Sequence, residues 1–573
     1  MNHRSRPLAI LLTVAVLLVG CTAPNQGPAQ SQSQGSESTP HATGPKKITA
    51  AILDVPRTLS RTINTAGSGS ARGVTEMEEL YTSGLATLND KGVLVPLLAE
   101  AVPTLENGLW KVNPDGTMET TWRLRENVFW HDMTPITSED LVFATQVGTD
   151  RAIGLLNNPG YKFISSVEAV DSRTVTVKWS QPFIDADSMF TSTSEFAVPL
   201  PKHILERAFN EDKAAFTQLP YWTSQFVGSG PFKLKEFEGS TFLTLQAFDQ
   251  YALGRPKIDE IEVRFIPDPN ALIANLLAGE VEMTLGRGIS PEQGFEMRQQ
   301  WRGGRVDMVP VNWTALYPQF INPNPPVLAD VQFRRALLHA IDRQELVDVF
   351  LGGLTSVANS IVDPNDPSYR AVENRVVKYD YDPRRAAQII ESLGYTKGTD
   401  GFYRDATGQR LTIEDRTTAG DDLRDKTLFA VADHWQRVGI GAESVIIPRQ
   451  QASDREYRNT RPAFELVRQP RELERYRGSD TPLPENRFTG NNRTRYQNAN
   501  LDALLDKFFV TIPMNERDQV LGDIVNHMTD QLVVLGLYYP IEPVMIGNRV
   551  KNAAAPPGDR PNPTWNAYQW EIR

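Results

Sequence analysis

The sequence predicts a mixed α/β fold whose strands and helices do not follow a strict βαβ alternation. Three observations lead to this expectation. The chain has 573 residues, and the part after residue 45 is long enough for two to four domains. Its 40% hydrophobic and 23% charged content is typical of a soluble globular protein. Alternating runs typical of strands recur along it, separated by apolar spacings typical of helices.

The N-terminal segment places a single cysteine directly after an apolar run. Two arginines precede the apolar residues 8–19, which are too few for a stable membrane-spanning helix, since that takes about 20 residues. The order LVGC at residues 18–21 resembles the bacterial lipobox, in which the cysteine becomes acylated. We therefore expect residues 1–20 to be a lipoprotein signal peptide and Cys21 to be lipidated. The alternatives are an ordinary secretory signal with an accidental cysteine, or a buried core helix.

The residues after Cys21 predict a flexible tether. Residues 21–46 are rich in Ser, Gln, Pro and Gly, so they bury too little apolar surface to offset the entropy of ordering. No second apolar run near 18 residues follows, and the formal net charge of −11 argues against nucleic acid as a partner. The expected product is an exported monomer, held by lipid at the outer face of the cell membrane.

The first elements after the tether show clear local patterns. Residues 47–55 are predicted as a buried strand that opens a sheet. Residues 74–90 carry apolar side chains at helical spacing, before a turn at NDKG. In residues 133–148, Thr137 stands three positions before Asp140 and an apolar run follows, which predicts a capping-box-like helix start.

Two stretches predict β-hairpins, and four later stretches predict helices. Residues 166–182 alternate around DSR, and residues 228–248 alternate around EGS. The helices are predicted at about 330–350, 383–393, 421–438 and 499–509.

Spacings that signal enzyme chemistry are missing from the sequence. It has no HExxH, no paired CxxC, no GxxxxGK[ST] and no GxSxG. Residues 67–73 are glycine-rich but lack the dinucleotide-binding spacing, so a flexible loop is the better interpretation. We therefore expect no catalytic residues, no metal site and no cofactor.

Four stretches occur in one order along the chain: TTWRLRENVFWHDMTPITSEDLVFA at 120–144, GSGPFKLKEF at 228–237, NPPVLADVQFRRALLHAIDRQELVDVFLGG at 324–353 and YDPRRAAQIIESLGY at 381–395. Together they resemble the family 5 extracellular solute-binding proteins of bacterial ABC importers, the group that contains dipeptide-, oligopeptide- and nickel-binding proteins. The resemblance covers roughly residues 47–573.

Most residues of these motifs are predicted to build the scaffold. Asp382 is placed as the N-cap of a helix, and Gly394 as the residue that ends it. Asp330 is placed to cap another helix, while Gly228 and Gly230 allow tight backbone before a strand. These residues identify the fold without touching the solute.

The resemblance implies a two-lobed periplasmic-binding-protein-like clamp with an extra small domain inserted in it. Solute binds between the lobes, the hinge closes around it, and a permease recognises the closed form. The implied bounds are 1–20 for the signal peptide, 21–46 for the tether, 47–88, 195–308 and 531–573 for lobe I, 89–194 for the inserted small domain and 309–530 for lobe II.

One segment departs from the family's pattern. Peptide-binding members supply a carboxylate to the peptide's α-ammonium from a segment that here follows FELV at 464–467, and no matching tryptophan or aspartate is present. Residues 468–477 instead hold four arginines. They form either a solvated surface loop or a cleft-lining segment that pairs with carboxylate or phosphate.

Three regions are the candidate binding cleft: the loop at 64–73, Trp313 at the start of lobe II, and the arginine-rich segment. Trp313 either stacks on a ring of the solute or belongs to the core. The candidate ligand-binding residues are Asn64, Thr65, Ser68, Trp313, Arg468, Arg471, Glu472, Arg475 and Tyr476.

The leading functional hypothesis is a lipid-anchored protein that captures a peptide or peptide-like solute by hinge closure and delivers it to an ABC-type importer. The nearest alternative is the same fold binding an oligosaccharide or another anionic small solute. A secreted envelope hydrolase and a receptor that signals to a partner instead of a permease are more distant alternatives.

Overall fold

The computed structural model describes residues 44–65, 72–153, 159–192, 198–556 and 562–573, without the side chains of residues 65 and 159. The signal peptide, Cys21, nearly all of the tether, and Ser68 lie outside these described residues. By its contacts, Pro45–Arg573 is one compact unit. Among the described residues, no helix is both long enough and apolar enough to cross a membrane.

The strands, in chain order, are β1 (Lys47–Ile52), β2 (Ala86–Leu88), β3 (Leu94–Pro96), β4 (Trp110–Val112), β5 (Met118–Arg123), β6 (Ile164–Ala169), β7 (Thr174–Trp179), β8 (Phe232–Glu238), β9 (Phe242–Ala247), β10 (Glu260–Phe265), β11 (Met283–Thr284), β12 (Gly304–Pro310), β13 (Trp313–Pro318), β14 (Thr396–Lys397), β15 (Tyr403–Arg404), β16 (Thr412–Thr418), β17 (Gly441–Ile447), β18 (Phe464–Gln469), β19 (Leu535–Tyr538), β20 (Ile541–Gly547), β21 (Val550–Lys551) and β22 (Glu571–Ile572).

The helices, in chain order, are α1 (Arg61–Thr65), α2 (Val74–Tyr81), α3 (Ser138–Thr149), α4 (Lys202–Glu211), α5 (Pro269–Ala278), α6 (Pro291–Gln300), α7 (Val331–His339), α8 (Arg343–Leu351), α9 (Tyr369–Val372), α10 (Pro383–Ser392), α11 (Asp422–Val438), α12 (Arg449–Ala452), α13 (Arg455–Asn459), α14 (Ala499–Val510) and α15 (Met514–Asp530).

Within the described parts of the chain, three sheets have four or more strands. The large sheet has the order β12-β20-β11-β1-β10-β9-β8, and its strand β1 runs parallel to both β10 and β11. The second sheet has the order β17-β16-β18-β13-β19, and the small sheet is the antiparallel set β4-β5-β7-β6. Each sheet buries a hydrophobic cluster of its own, so the protein has several cores.

The predicted strand and hairpins are confirmed. Residues 47–55 contain β1, which is nearly all buried because strands cover it on both sides. The two predicted hairpins are the antiparallel pairs β6–β7 and β8–β9. The predicted capping box opens α3, where the backbone N–H of Thr137 donates to the Asp140 carboxylate at 2.8 Å.

The predicted helix over 74–90 is too long, because α2 ends at Tyr81. The carbonyl of Tyr81 accepts a hydrogen bond from the backbone N–H of Gly230 at 3.0 Å, so it serves a contact with another segment. That contact needs glycine, since a Cβ on Gly228 would lie 2.0 Å from the Tyr81 carbonyl oxygen. Tertiary contact therefore overrides the helical pattern of the sequence.

The predicted helix at 330–350 is two helices, α7 and α8. The carboxylate of Asp342 accepts from the backbone N–H of Glu345 at 2.9 Å, so a new helix begins there. The predicted caps are confirmed: Asp330 accepts from Gln332 N–H at 2.7 Å and Asp382 from Arg385 N–H at 2.9 Å. Gly394 follows α10 with a φ of 89°, as expected for the residue that ends a helix.

The chain passes between the large and second sheets twice after β12. It leaves the large sheet between β12 and β13, at residues 311–312, and returns between β19 and β20, at residues 539–540. The first crossing lies close to the predicted boundary at 308–309. The second lies after β19, which pairs with β13 in the second sheet, and not at the predicted boundary at 530–531.

Candidate functional site

The two crossings form a ribbon that both sheets share. On the large-sheet side, β12 pairs with β20, and on the other side β13 pairs with β19. Between them, the backbone N–H of Val311 donates to the carbonyl of Pro540 at 2.9 Å. Because only a few residues connect the sheets here, small changes in their backbone angles are enough to rotate one sheet relative to the other.

Arg468, one of the predicted site residues, lies beside this ribbon. Its Nη1 is 2.5 Å from Oε1 of Glu542 on β20, so the ion pair joins the second sheet to the large sheet. Both side chains are nearly buried. Burial alone lowers the pKa of Arg468, but the charge and hydrogen bond of Glu542 raise that pKa overall. The pair therefore stabilises the ribbon that joins the two sheets.

The other arginines of residues 468–477 also have carboxylate partners within the protein. These pairs are Arg471 with Asp363 at 3.9 Å, Arg475 with Glu472 at 2.6 Å, and Arg477 with Asp506. Glu472 is half exposed, so its pair with Arg475 is weak in water. Contact between these arginines and an anionic group of the solute stays a prediction.

Trp313 and Tyr476 lie in a core between the second sheet and helices α14 and α15. Trp313 is 2% exposed and Tyr476 is 3% exposed, so both are covered by protein. The hydroxyl of Tyr476 lies 3.2 Å from the hydroxyl of Tyr317, and burial raises the pKa of Tyr476. In this structure both side chains are part of the core that packs against the second sheet.

Asn64 organises the chain that follows β1. Its side-chain oxygen accepts from the backbone N–H groups of Arg57 and Thr58, at 2.9 and 3.2 Å, and its amide donates to the carbonyl of Ser60 at 2.8 Å. These are local backbone contacts of the kind that shape turns. The backbone of Thr65 ends α1, while its side chain and Ser68 lie outside the described residues.

No sequence pattern indicates a cavity that lies on the large-sheet side. Its volume is about 50 Å³, and it is partly open to solvent. Its lining residues are Ser60, Arg61, Thr62, Glu78, Thr82, Trp130, Val147, Val198, Pro199, Leu200, Tyr221, Trp222, Phe226 and Gly228. They come from segments far apart in the chain, so no sequence spacing could have brought them together. We call this space the lobe I cavity.

Helix α2 carries three buried carboxylates, Glu76, Glu78 and Glu79, of which Glu78 lines this cavity. Burial raises the pKa of Glu78, although Arg61 opposes the shift with its charge and with a backbone N–H bond at 3.0 Å. Burial raises the pKa of Glu79 to about 7, against a bond from Asn562 and the charge of Arg61. Glu78 lines the cavity, whereas Glu79 lines a separate, smaller pocket.

The second-sheet side and the small sheet touch across the interface between lobes. The backbone N–H of Ile184 donates to the carbonyl of Phe509 at 3.2 Å. Ile512, which follows α14, is 8% exposed and packs into the hydrophobic cluster of the small sheet. The described residues contain no group of three or more His, Cys, Asp or Glu placed to hold a metal ion. The Ile184–Phe509 bond and the packing of Ile512 therefore join the small sheet to helix α14 and the residues that follow it.

Comparisons with known proteins identify the fold. The family model described as bacterial extracellular solute-binding proteins, family 5, middle part, matches residues 94–469. The solved oligopeptide-binding protein of Thermus thermophilus, complexed with a pentapeptide, is similar with a TM-score of 0.69 and 23% sequence identity. That match covers 92% of this chain and 96% of the Thermus chain. The fold is therefore a two-lobed, mixed α/β clamp.

Two curated relatives give the same family. The oligopeptide-binding protein AppA of Bacillus subtilis is 24% identical over 77% of this chain and 75% of its own. A Brucella ovis protein named as an ABC transporter peptide-binding protein is 28% identical over 50% of this chain. The match spans only 51% of the Brucella protein, about half its length. Since the family model covers most of the chain, this protein belongs to family 5 of the bacterial extracellular solute-binding proteins.

Proposed function

We propose that this protein captures a peptide or peptide-like solute between its two lobes and delivers it to the permease subunits of an ABC-type importer. Its family is one of extracellular solute-binding proteins, and the relatives named above bind peptides or are named for peptide binding. The observation that carries the proposal is the shared ribbon at 311–312 and 539–540, because it lets two lobes close as rigid bodies.

Closure is the functional step, and the solute leaves chemically unchanged. The contact between Ile184 and Phe509 joins the lobes only when they are close, so it belongs to the closed state. The ion pair of Arg468 and Glu542 lies at the ribbon, where lobe rotation moves it least. A ligand that binds the closed state better shifts the population toward it, and the permease reads that state.

We propose for the lobes the bounds expected from the sequence, with the return to lobe I at residues 539–540, where the chain re-enters the large sheet. Lobe I contains the large sheet, the small domain contains the small sheet and lobe II contains the second sheet.

The protein acts as a monomer, and a lipid on Cys21 holds it at the outer face of the cell membrane. Replacing Cys21 with Ala should leave the protein unprocessed or released into the medium. Retention of the variant at the membrane would contradict the anchor.

Identification of the bound solute tests the peptide assignment. The full chain is purified from its own host, and mass spectrometry identifies any molecule that leaves the protein on denaturation. A synthetic copy is then titrated by calorimetry and recovered for a second mass measurement. We expect a peptide that binds one to one and is recovered intact. A bound sugar or a chemically altered peptide would contradict the proposal.

A further inference from the structure

We propose that Asn312 is the residue whose backbone turns when the lobes close, and that its left-handed conformation limits how often the closed form is populated. The inference rests on the proposed function, since it needs two lobes that close. It deepens that function by naming one backbone position, in the ribbon between the sheets, that regulates the affinity for the solute.

Asn312 has an unusual backbone conformation. Its φ is 44°, in the left-handed region, and the residue is 5% exposed. This region is disfavoured for residues other than glycine, because Cβ comes close to the following carbonyl oxygen, and asparagine is among the residues that tolerate it best. Such conformations persist where the surrounding structure holds them, and they cluster at parts of proteins that move or bind. The first crossing, between β12 and β13, is a part of this kind.

The second crossing has little freedom to turn. The ring of Pro540 fixes its φ at roughly −65°. The hydroxyl of Tyr539 donates to the carbonyl of Ser360 at 2.8 Å and lies 3.0 Å from the carbonyl of Val362, so Tyr539 is anchored to lobe II. Its side chain is 1% exposed and packs in the core beside the second sheet. Both residues of this crossing are therefore held in place.

The neighbours of Asn312 in the first crossing belong to different lobes. The backbone N–H of Val311 donates to the carbonyl of Pro540 at 2.9 Å, and its side chain is 2% exposed in the hydrophobic cluster of the large sheet. On the other side, Trp313 pairs with Gln469 in the second sheet. Asn312 thus lies between a residue held by lobe I and a residue held by lobe II. Its backbone angles absorb a rotation between the lobes.

The left-handed conformation of Asn312 belongs to the closed form. The bond from Ile184 to Phe509 joins the small sheet to lobe II, and the proposed function assigns that bond to the closed form. Asn312 has its φ of 44° in the presence of the same bond. When the lobes separate, this φ moves toward the negative values that residues other than glycine prefer. Closure therefore has a backbone cost at one position, which binding of the solute offsets.

This cost makes the residue type at position 312 a determinant of affinity. When the closed form is a minor species without solute, the apparent dissociation constant rises in proportion as the closed fraction falls. Glycine adopts positive φ about as readily as negative φ, whereas the Cβ of alanine disfavours it. The two residues differ by one methyl group, and both lack the asparagine amide. Glycine compared with alanine therefore isolates the backbone from any contact of the side chain.

The test compares Asn312→Gly with Asn312→Ala in the full chain. Asn127→Gly and Asn127→Ala are the matched controls, since Asn127 also has a left-handed backbone, with a φ of 58°, but lies in an exposed turn after β5, outside the ribbon. Calorimetry measures the dissociation constant of each variant for the synthetic copy of the solute that is recovered from the parent.

A second measurement needs no solute. Single-molecule energy transfer counts the molecules in the closed form, with dyes on Val170→Cys and Val349→Cys in a Cys21→Ser background. Val170 is 63% exposed beside the small sheet, and Val349 is 67% exposed in lobe II. The closed fraction of each variant is then compared with its dissociation constant.

We expect N312A to bind the synthetic copy at least about fivefold more weakly than N312G, and to have a closed fraction smaller by the same factor. N127A and N127G should bind within about twofold of each other, because their backbone lies outside the ribbon. Equal affinities and equal closed fractions for N312A and N312G would overturn the inference and leave the peptide function standing. The same affinity ratio at position 127 would also overturn it.

Failure of the proposed function gives a different result. If the parent bound no peptide, that function would fail, while the closed fractions of N312A and N312G would still decide whether position 312 sets the equilibrium between open and closed forms. Asn312→Ser covers the case in which N312A does not fold, as judged by thermal melting, because serine keeps a polar group at this nearly buried position. It should bind at least about threefold more weakly than N312G. Equal affinities for N312S and N312G would contradict a backbone role for this residue.

Discussion

Two buried glutamates, one in each lobe, respond to burial in opposite ways. Glu79 in lobe I has its pKa raised to about 7, because burial outweighs a bond from Asn562 and the charge of Arg61. Glu465 in lobe II is also buried, yet its pKa is lowered to about 2, because arginines surround it. We call Glu465 and these arginines the Glu465 cluster; they are Arg416, Arg458, Arg461 and Arg493.

The two glutamates differ because arginines surround only Glu465. Arginine stays charged when buried, and here backbone carbonyls hold the guanidinium groups: Arg461 donates to the carbonyls of Tyr317 and Arg493, at 3.0 and 2.6 Å. The Glu465 cluster is therefore a fixed part of lobe II. Glu79 has less opposing charge around it, so its carboxyl group gains a proton near neutral pH.

The largest expected difference in stability comes from replacing Glu with Gln at position 465 and, separately, at position 79. Glu465→Gln removes the carboxylate that Arg458 and Arg493 bond, and leaves the buried arginines of the cluster without their central negative charge. It should lower the free energy of unfolding by about 3–5 kcal/mol at pH 7. Glu79→Gln keeps an acceptor for Asn562 and removes a buried group that is costly to ionise, so it should not lower that free energy and should raise it by up to about 3 kcal/mol at pH 7. Urea unfolding of both variants would refute the comparison if the two losses were equal.

The next largest effect on stability is expected from breaking the ion pair between Arg468 and Glu542 at the ribbon. Arg468→Gln leaves Glu542, which is 5% exposed, without its charged partner, and should lower the free energy of unfolding by about 2–4 kcal/mol. Arg475→Gln is the matched control, because its partner Glu472 is half exposed, and should cost about 0–1 kcal/mol. Thermal melting without solute measures both, and similar melting temperatures would contradict the role of the pair.

The pH dependence of stability should differ between the lobes. The pKa of Glu79 in the folded protein is raised above its unfolded value of about 4.5. The stability that protonated Glu79 contributes is therefore fully present below pH 4.5 and is lost as pH rises toward 7. The loss is at most about 3 kcal/mol. Glu465 has a lowered pKa, so its contribution is present above pH 4.5 and is lost as pH falls toward 2.

Urea unfolding at steps between pH 4.5 and pH 8 checks the lobe I part of this expectation. The parent should lose stability relative to E79Q across that window, and the two curves should be parallel above pH 8. Parallel curves across the whole window would show that Glu79 does not titrate in it.

The smallest expected effect concerns the contact between lobes. Ile512→Ala removes apolar contact with the small sheet. The proposed closure forms this contact, so the variant should weaken solute affinity roughly five- to thirtyfold, about 1–2 kcal/mol. Val510→Ala, on the same helix end but 38% exposed, is the control and should bind within twofold of the parent. Equal affinities for the two variants would place Ile512 outside the closing interface.

Local signals in the sequence predicted most of the elements, because they depend on near neighbours. The cap of Asp382, the capping box of Thr137 with Asp140, and the hairpin turns all act within a few residues. The end of α2 was not predictable, since it depends on Gly230, which is distant in the chain. Family resemblance supplied the arrangement of the lobes, which no periodicity in the sequence specifies.

The candidate site was harder to predict for the same reason. The dense run of arginines at 468–477 predicts either a surface loop or an anion site, and contact with a solute stays a prediction. The pairing of Arg468 with Glu542, 74 positions later, could not be predicted from that run. The lobe I cavity could not be predicted, because Trp130 and Trp222 are distant in the sequence and meet only in the folded protein. Pairing and cavity shape are tertiary properties, so the sequence pattern alone does not contain them.

Closure around a solute is tested most directly by a distance measurement between the lobes. Cys21 is the only cysteine, so Cys21→Ser gives a background in which Val170→Cys and Val349→Cys carry two dyes for energy transfer. Val170 is 63% exposed beside the small sheet and Val349 is 67% exposed on α8. We expect a shorter dye-to-dye distance when the identified solute is added, with half of the change at the calorimetric dissociation constant. Saturating binding with no change in that distance would contradict it.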